Sequence, residues 1–341
     1  MQVVILLFTT TCTEQPRQDE NYEIVFHSGE FKLVGDLQFP EREDPFPVIL
    51  FVHGDGPNDR TSGGTYLPIM ARMHQAGYAT FAWDKPGSGE STGQLDHSNV
   101  VEQRAQIVLD AIDVMKARPD IIREQIGLWG ISQAGYVMPR VLLASKDVAF
   151  IIVVSGPGMP GVDQGAYLVS AQAACAGCPA KQVERMKHLL SAIERTETYE
   201  EWVQYKELLN ASSCISHAVI FGYRTGIMPE NEWHEPNLDG AYFWDPMDVI
   251  EQTTIPMLVF FGEKDTQADP IQGAKAYREA LGSASNRNFR VEFIPGVDHN
   301  LVPSKTGCLD ERETRSRKDW TNYAPEYLDT LEQWLIELRR E

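Results

Sequence analysis

Short apolar runs alternate with helix-patterned segments along most of the 341-residue chain, and this alternation constrains the fold more than any other feature. Six runs are predicted as strands: residues 46–52, 78–83, 126–129, 150–154, 257–261 and 289–294. The run at 150–154 is continuously apolar, which is typical of a parallel strand buried on both faces. Residues 100–118 repeat apolar side chains at helical spacing and stop at Pro119. Strands that alternate with helices predict an α/β architecture, a mostly parallel central sheet flanked by helices.

The alternation breaks between residues 157 and 254, where the pattern is helical and no strand is as clear as its neighbours. We interpret residues 157–254 as a helical cap inserted into an α/β core of residues 22–156 and 255–341. Such a cap would cover the carboxyl ends of the strands, where open parallel sheets bind their ligands.

Residues 1–21 are interpreted separately from the fold. Their apolar run at residues 3–8 is too short to span a bilayer and is followed by Cys12 and a polar stretch. This pattern resembles the end of a bacterial lipoprotein signal peptide, in which the cysteine becomes lipidated. It favours export, to the periplasm or as a membrane-anchored lipoprotein. The alternative is a frayed N-terminal strand in a cytoplasmic protein.

The formal net charge of −19 argues against nucleic acid as a partner, since a field of that sign repels phosphate backbones. The cysteines other than Cys12 are Cys175, Cys178, Cys214 and Cys308. A single C-x-x-C pair without histidine at metal-ligand spacing predicts no zinc site. Two disulfides in an oxidising compartment and four free thiols both remain open.

Two serines lie between small residues in a pattern typical of a catalytic serine. Gly89-Glu-Ser-Thr-Gly93 matches G-x-S-x-G fully, whereas Gly130-Ile-Ser-Gln-Ala-Gly135 has alanine in place of the second glycine. A nucleophilic serine needs a sharp turn from a strand into a helix, which exposes its hydroxyl above the sheet. Ser132 directly follows the strand at 126–129 and opens a helical segment, whereas Ser91 lies in a loop. This context predicts Ser132 as the nucleophile; the alternative is that Ser132 only caps the helix.

A catalytic serine also needs a general base and a carboxylate that orients the base. Asp265 and His299 each follow a predicted strand, in the chain order serine, acid, histidine that this arrangement requires. Histidine suits the role because it can take the serine proton and return it to the leaving group near neutral pH. Three nearby carboxylates compete with Asp265 for the role of the acid: Glu263, Asp269 and Asp298.

The loop after the strand at 46–52 begins His53-Gly-Asp-Gly56 and is predicted to help bind an oxyanion. The tetrahedral intermediate of acyl transfer needs two preorganised N–H donors. We expect the backbone N–H groups of Gln133 and Asp55 to supply them, with Gly54 and Gly56 shaping the loop. His53 is expected to support the loop rather than to take part in chemistry. The alternative is an ordinary glycine turn.

Five motifs occur together in one order: His53-Gly-Asp-Gly-Pro-Asn-Asp-Arg60, Asp84-Lys-Pro-Gly-Ser-Gly-Glu-Ser91, Gly130-Ile-Ser-Gln-Ala-Gly135, Gly262-Glu-Lys-Asp265 and Gly296-Val-Asp-His299. Over residues 22–340 they resemble the α/β-hydrolase superfamily, most of all its esterase and prolyl-oligopeptidase-like branch. The resemblance implies the α/β-hydrolase fold and a Ser132–His299–Asp265 triad that works through an acyl-enzyme, without metal or organic cofactor. The chain departs from the family at Ala134, where glycine is usual, and at Pro86, where a basic residue is frequent.

The function that follows is hydrolysis of small-molecule carboxylic esters with small or medium acyl groups. A serine aminopeptidase or acylaminoacyl-type peptidase is the main alternative, and it would need cap carboxylates for a substrate amine: Glu230, Glu232, Glu235 and Asp239. Thioester or lactone cleavage would use the same acyl-enzyme chemistry. A non-catalytic binding protein on a hydrolase scaffold is less well supported, because the triad is complete in the sequence.

Overall fold

The computed structural model describes residues 21–41, 45–216, 224–238 and 240–340. The predicted signal segment with Cys12 and the cap carboxylate Asp239 lie outside the described residues. Export and lipid anchoring therefore stay predictions.

The described strands form one eight-stranded sheet in the order β1-β2-β4-β3-β5-β6-β7-β8. The strands are β1 (Asn21–Ser28), β2 (Phe31–Gln38), β3 (Phe46–Val52), β4 (Ala79–Trp83), β5 (Ile121–Ile131), β6 (Phe150–Val154), β7 (Met257–Gly262) and β8 (Phe289–Ile294). β1 pairs antiparallel with β2, and β2 pairs antiparallel with β4, whereas all other neighbours are parallel. The predicted mostly parallel sheet is confirmed.

Helices cover both faces of this sheet. The helices are α1 (Leu67–Gln75), α2 (Val100–Lys116), α3 (Ala134–Ala144), α4 (Gly161–Cys175), α5 (Ala180–Ile193), α6 (Tyr199–Asn210), α7 (Met247–Ile250), α8 (Pro270–Ser283), α9 (Leu309–Glu313), α10 (Arg317–Trp320) and α11 (Pro325–Leu338). Single 3₁₀ turns lie at His97–Asn99 and Glu230–Glu232. α2, α3, α7 and α8 pack on one face, and α1 and α11 on the other. Each described helix is too short or too polar to cross a membrane.

Strand β3 shows why the apolar runs are continuous. Val48 and Leu50 belong to the hydrophobic core on the α2 side, whereas Ile49 and Phe51 belong to the core on the α1 side. Successive side chains of a strand point to opposite faces, so a strand covered on both faces must be apolar at every position.

Between β6 and β7, helices α4, α5 and α6 form a separate layer with its own hydrophobic cluster, which includes Leu190, Trp202 and Leu209. Two disulfides tie this layer down. Cys178–Cys214 links residues within it, and Cys175–Cys308 links it to the segment after β8. Of the two possibilities left open by the sequence, the structure has the disulfides.

One strand boundary differs from the sequence prediction: the strand predicted at 126–129 runs from Ile121 to Ile131. One helix of the predicted cap, 157–254, packs on the core, because Met247 and Ile250 of α7 are buried on the α2 side of the sheet. The short sequence of α7 gave no signal of this packing.

Candidate active site

Ser132 occupies a sharp turn between β5 and α3. Its φ is +58°, in the left-handed region that costs energy for residues other than glycine. The Ser132 N–H donates to the carbonyl of Val154 on the neighbouring strand β6, at 2.9 Å. This is the strained strand–turn–helix geometry of a nucleophile elbow.

The small residues around Ser132 are required by close packing. A Cβ atom on Gly130 would lie 2.6 Å from the Cβ of Ala134, and one on Gly135 would lie 2.9 Å from the Cα of Gly156. Because Gly130 lacks a Cβ, there is room for the methyl group of Ala134. The departure from the family pattern at residue 134 is therefore accommodated without moving the turn.

Asp265 and His299 are joined side by side at the ends of adjacent parallel strands. His299 Nδ1 lies 2.8 Å from Asp265 Oδ2, and both side chains are buried. The other carboxylate oxygen of Asp265 accepts the N–H groups of Gln267 at 2.8 Å and Ala268 at 2.9 Å. These bonds fix the carboxylate, which in turn fixes the orientation of the imidazole ring.

The three competing carboxylates have other partners. Glu263 accepts the N–H of Gly296 at 2.8 Å, and Asp269 caps the N-terminus of α8. Asp298 is buried and bonds to Arg315 at 2.5 Å. None of these contacts involves the ring of His299.

Ser132 opens onto two cavities. The nucleophile cavity, of about 470 Å³, is lined by Ser132, Gln133 and Tyr136 together with residues of the cap. The polar cavity, of about 260 Å³, is lined by Ser132 and His299 together. Asp55 lines both cavities. In the described residues, the backbone N–H groups of Gln133 and Asp55 have no protein acceptor.

His53 supports the loop that carries Asp55. Its Nε2 lies 2.6 Å from the carbonyl oxygen of Trp83, and its Nδ1 lies 3.2 Å from the hydroxyl of Tyr66. Burial lowers the pKa of His53 to about 3, so the ring is neutral at ordinary pH. Both ring nitrogens have a partner and the ring is neutral, so His53 is better suited to support the loop than to transfer protons.

Sequence reasoning missed two buried cations beneath the same loop. Lys85 Nζ donates to the carbonyl oxygens of Gly54 at 3.0 Å and Gly56 at 2.5 Å. The Arg104 guanidinium donates to the carbonyl oxygen of His53 and to the side-chain oxygen of Gln133. Arg104 thus ties the loop to the turn that contains Ser132.

Burial governs the charge of both cations. It lowers the pKa of Lys85 to about 7, with a further contribution from the neighbouring Arg104, and it lowers the pKa of Arg104 to about 10. A signal for Arg104 was present in the sequence. It lies three residues after Val101 and four before Val108, on the apolar face of α2, where a charge is rare unless it has a specific partner.

Ser91 has a structural environment. Its hydroxyl is buried and accepts the N–H of Val34 at 2.9 Å. The preceding turn holds the Asp84 carboxylate, which binds Arg60 at 2.9 Å. A Cβ on Gly89 would lie 2.2 Å from that carboxylate. The glycine before Ser91 is therefore explained by the approach of Asp84.

A family described as Serine aminopeptidase, S33 has a model that matches residues 43–226, more than half of the chain. The chain belongs to this family. The resemblance to the α/β-hydrolase superfamily, of which the family is a part, is thereby confirmed.

Individual relatives of this S33-family chain are distant. Esterase EstD of Thermotoga maritima is 24% identical over 285 residues, which are 79% of this chain and 58% of the relative. The chain thus spans little more than half the length of that esterase. An esterase of Pyrococcus furiosus superposes with a TM-score of 0.56 at 14% identity, covering 94% of this chain and 91% of the other. A proline iminopeptidase of Mycobacterium smegmatis gives 0.53 at 15% identity, covering 94% and 100%. At these identities the solved structures support the fold alone.

Proposed function

We propose that the protein is a serine hydrolase that cleaves carboxylic esters of small or medium acyl groups through an acyl-enzyme. The observation that carries this proposal is the position of Ser132. It sits at a strained turn with φ +58° and lines one cavity together with His299, whose ring is held by Asp265 at 2.8 Å.

The proposed reaction follows from these groups. His299 accepts the Ser132 proton as the hydroxyl oxygen attacks the ester carbonyl, and Asp265 stabilises the imidazolium that forms. The carbonyl oxygen becomes an oxyanion, for which the free N–H groups of Gln133 and Asp55 are the proposed donors. The C–O bond to the alcohol then breaks, and His299 gives its proton to the leaving alcohol oxygen. Water, activated by His299, hydrolyses the acyl-enzyme and restores Ser132.

Lys85 and Arg104 are proposed to position the oxyanion donors. Between them, they hold the carbonyls of His53, Gly54 and Gly56 and the side chain of Gln133. The buried Arg104 guanidinium, whose pKa of about 10 keeps it charged at neutral pH, also places positive potential near the expected oxyanion, where low polarity strengthens its effect.

A serine aminopeptidase is the second candidate, favoured by the family description. Of the predicted cap carboxylates, Glu232 lines a cavity in the cap rather than the nucleophile cavity. The glutamate that does line the nucleophile cavity is Glu102, which lies 3.4 Å from Arg140. An α-amine lies one carbon from the scissile carbonyl, so its carboxylate partner must be close to Ser132. The ester is the proposed substrate class because Glu102 is already paired with Arg140, and a thioester is a variant of the same chemistry.

Two assays test this choice. The purified chain should hydrolyse p-nitrophenyl acetate and butyrate and leave aminoacyl-naphthylamides intact. The reverse preference would select the peptidase, and inactivity on both, without labelling by a fluorophosphonate, would favour the non-catalytic binding protein.

Export remains part of the proposal. The two disulfides support it because disulfides persist mainly in oxidising compartments. Lipid attachment at Cys12 would be tested by labelling bacteria that express the full chain with a palmitate analogue. Incorporation that disappears in Cys12→Ser is the expected result, and equal incorporation in both would contradict the assignment of Cys12.

A further inference from the structure

The two cavities at Ser132 can be assigned to the two halves of an ester, if the proposed function holds. The leaving alcohol takes its proton from the catalytic histidine, so it must lie on the side of His299. That side is the polar cavity, whose lining includes Asn58, Thr65 and Asn300. The acyl group then occupies the nucleophile cavity, whose lining combines polar residues such as Glu102 and Gln164 with apolar ones: Val100, Val101, Pro157, Leu168 and Ala268.

A third cavity lies farther into the cap. This cap cavity, of about 590 Å³, is lined by apolar side chains, among them Val162, Val169, Leu190, Ile193 and Trp202, and by the charged side chains of Glu194, Lys206, Arg224 and Glu232. Gly165 and Tyr242 line both the cap cavity and the nucleophile cavity. Tyr242 therefore lies at the boundary between the two.

Two glycines of α4 make room for the Tyr242 ring at this boundary. Gly161 and Gly165 are four residues apart and so lie on one face of the helix. A Cβ on Gly161 would lie 2.9 Å from Cδ2 of Tyr242, and a Cβ on Gly165 would lie 2.9 Å from its hydroxyl oxygen. The ring thus extends along the helix from one glycine to the other, and a side chain at either position would displace it.

The attachment of Tyr242 allows this ring to be changed without removing core packing. The backbone carbonyl of Tyr242 accepts the N–H of Val162 at 3.1 Å, a bond that any side chain at position 242 preserves. The residue is 49% exposed, and its ring meets Phe243 edge to face at 5.7 Å.

We propose that Tyr242 divides one acyl-binding channel into the nucleophile cavity and the cap cavity, and so sets the longest acyl chain that Ser132 accepts. The substrate class is an ester of an apolar acyl chain with a small polar alcohol. Chains that fit the nucleophile cavity are cleaved well. Longer chains meet the ring and bind poorly, although apolar space exists beyond it.

The experiment measures kcat/KM for glycerol monoesters of increasing acyl length, from acetyl to dodecanoyl, by titration of the released acid. For chains that are too long for the wild type, Tyr242→Ala should gain about fourfold in kcat/KM per added methylene, the factor expected from burying one CH₂. Tyr242→Phe is the matched control, since it keeps the ring and should keep the wild-type chain-length profile.

A second variant shows where the longer chain goes. Val169 lines the cap cavity, so Val169→Phe in the Tyr242→Ala background should fill it and cancel the gain for long chains. Activity on short chains should not change. If Tyr242→Ala does not fold, Tyr242→Leu provides the same comparison with a smaller opening.

The outcomes separate this proposal from the proposed function. Wild-type protein that neither cleaves esters nor reacts with a fluorophosphonate would overturn the function. Wild-type protein that cleaves short esters, together with unchanged chain-length profiles in Tyr242→Ala and Tyr242→Leu, would overturn the role of Tyr242 alone. A gain in Tyr242→Ala that survives Val169→Phe would also contradict it, because the chain would then not enter the cap cavity.

Discussion

The turn at Ser132 and the loop at Ser91 have similar glycine-containing sequences, but each needs its glycines for a different physical reason. At Ser132, glycine is needed because a strand, a helix and the next loop approach each other, with 2.6 Å between a hypothetical Cβ on Gly130 and the Cβ of Ala134. At Ser91, glycine is needed because a carboxylate and a ring approach. A Cβ on Gly89 would meet Asp84 at 2.2 Å, and one on Gly93 would meet Phe31 at 2.4 Å.

The consequence lies in what each hydroxyl can reach. Ser132 lines two cavities, whereas Ser91 is buried with its oxygen bonded to the backbone of β2. Glycines on both sides of a serine therefore indicate that other atoms pack closely there, and do not by themselves indicate that the serine is reactive. The chemistry is decided by which elements approach and by whether the serine faces open space.

Of the substitutions that distinguish the two serine motifs, replacement of Ser132 should have the largest effect on activity. Ser132→Ala removes the proposed nucleophile, so kcat/KM for p-nitrophenyl butyrate should fall by roughly 10⁴-fold or more, as in other triad enzymes. Ester hydrolysis and the thermal unfolding midpoint would be measured on the same preparation. Retention of more than a tenth of the activity in a folded protein would show that another residue is the nucleophile.

Substitution of Arg104 tests whether catalysis at Ser132 depends on this buried cation. Arg104→Met removes the donors to His53 and Gln133, so we expect kcat to fall by about 10- to 100-fold with a smaller change in KM, because oxyanion donors act in the transition state. Arg104→Lys keeps the charge but not the planar pair of donors, so its kcat should lie between those of the wild type and Arg104→Met.

A structural role for Arg104 alone would give a different pattern. In that case the variants would lose folded protein, while the kcat of the folded fraction, counted by fluorophosphonate titration, would equal that of the wild type. That result would separate Arg104 from the oxyanion site.

The buried His53 near Ser132 should make the stability of the protein depend on pH. Its pKa is about 3 in the folded protein and near 6.5 ordinarily, so the unfolded chain binds more protons between these values. Stability is full above pH 6.5 and falls with decreasing pH, by about 2 kcal/mol between pH 6.5 and 5 from this group alone. Urea unfolding at pH 7 and pH 5 should show this loss reduced by that amount in His53→Gln. An identical loss in both proteins would contradict the assignment.

Ser91 should give the smallest effect and no loss of catalysis. Ser91→Ala leaves the buried N–H of Val34 without its acceptor, which should reduce the free energy of unfolding by about 1 to 2 kcal/mol. Denaturant unfolding measures that change, and kcat/KM for the ester should equal the wild-type value within twofold. A large loss of kcat/KM with the fold intact would reverse the roles of the two serines.

The sequence predicted the parts of the molecule that local pattern controls. The strands at 46–52 and 150–154 were found at those residues because a strand covered on both faces is apolar throughout. The positions of Asp265 and His299 followed from their strands, since adjacent parallel strands end at the same edge of the sheet. Their mutual contact then needed only the right loop lengths.

The missed features depend on contacts between distant residues. Four cysteines allow three pairings, and only the packing of the cap on the core selects Cys175–Cys308 and Cys178–Cys214. Lys85 is a further case, because its partners are backbone carbonyls that leave no mark in the sequence. The sequence of the short helix α7 resembles that of the neighbouring segments, and only the burial of Met247 and Ile250 shows that the helix packs in the core.

The role of Ser132 is tested most directly by covalent labelling of the wild-type chain with a fluorophosphonate, followed by proteolysis and mass spectrometry of the labelled peptides. One adduct per chain is expected, on the peptide that contains Ser132, and this adduct should be lost in Ser132→Ala but not in Ser91→Ala. An adduct on Ser91, or no adduct on folded protein, would contradict this role of Ser132.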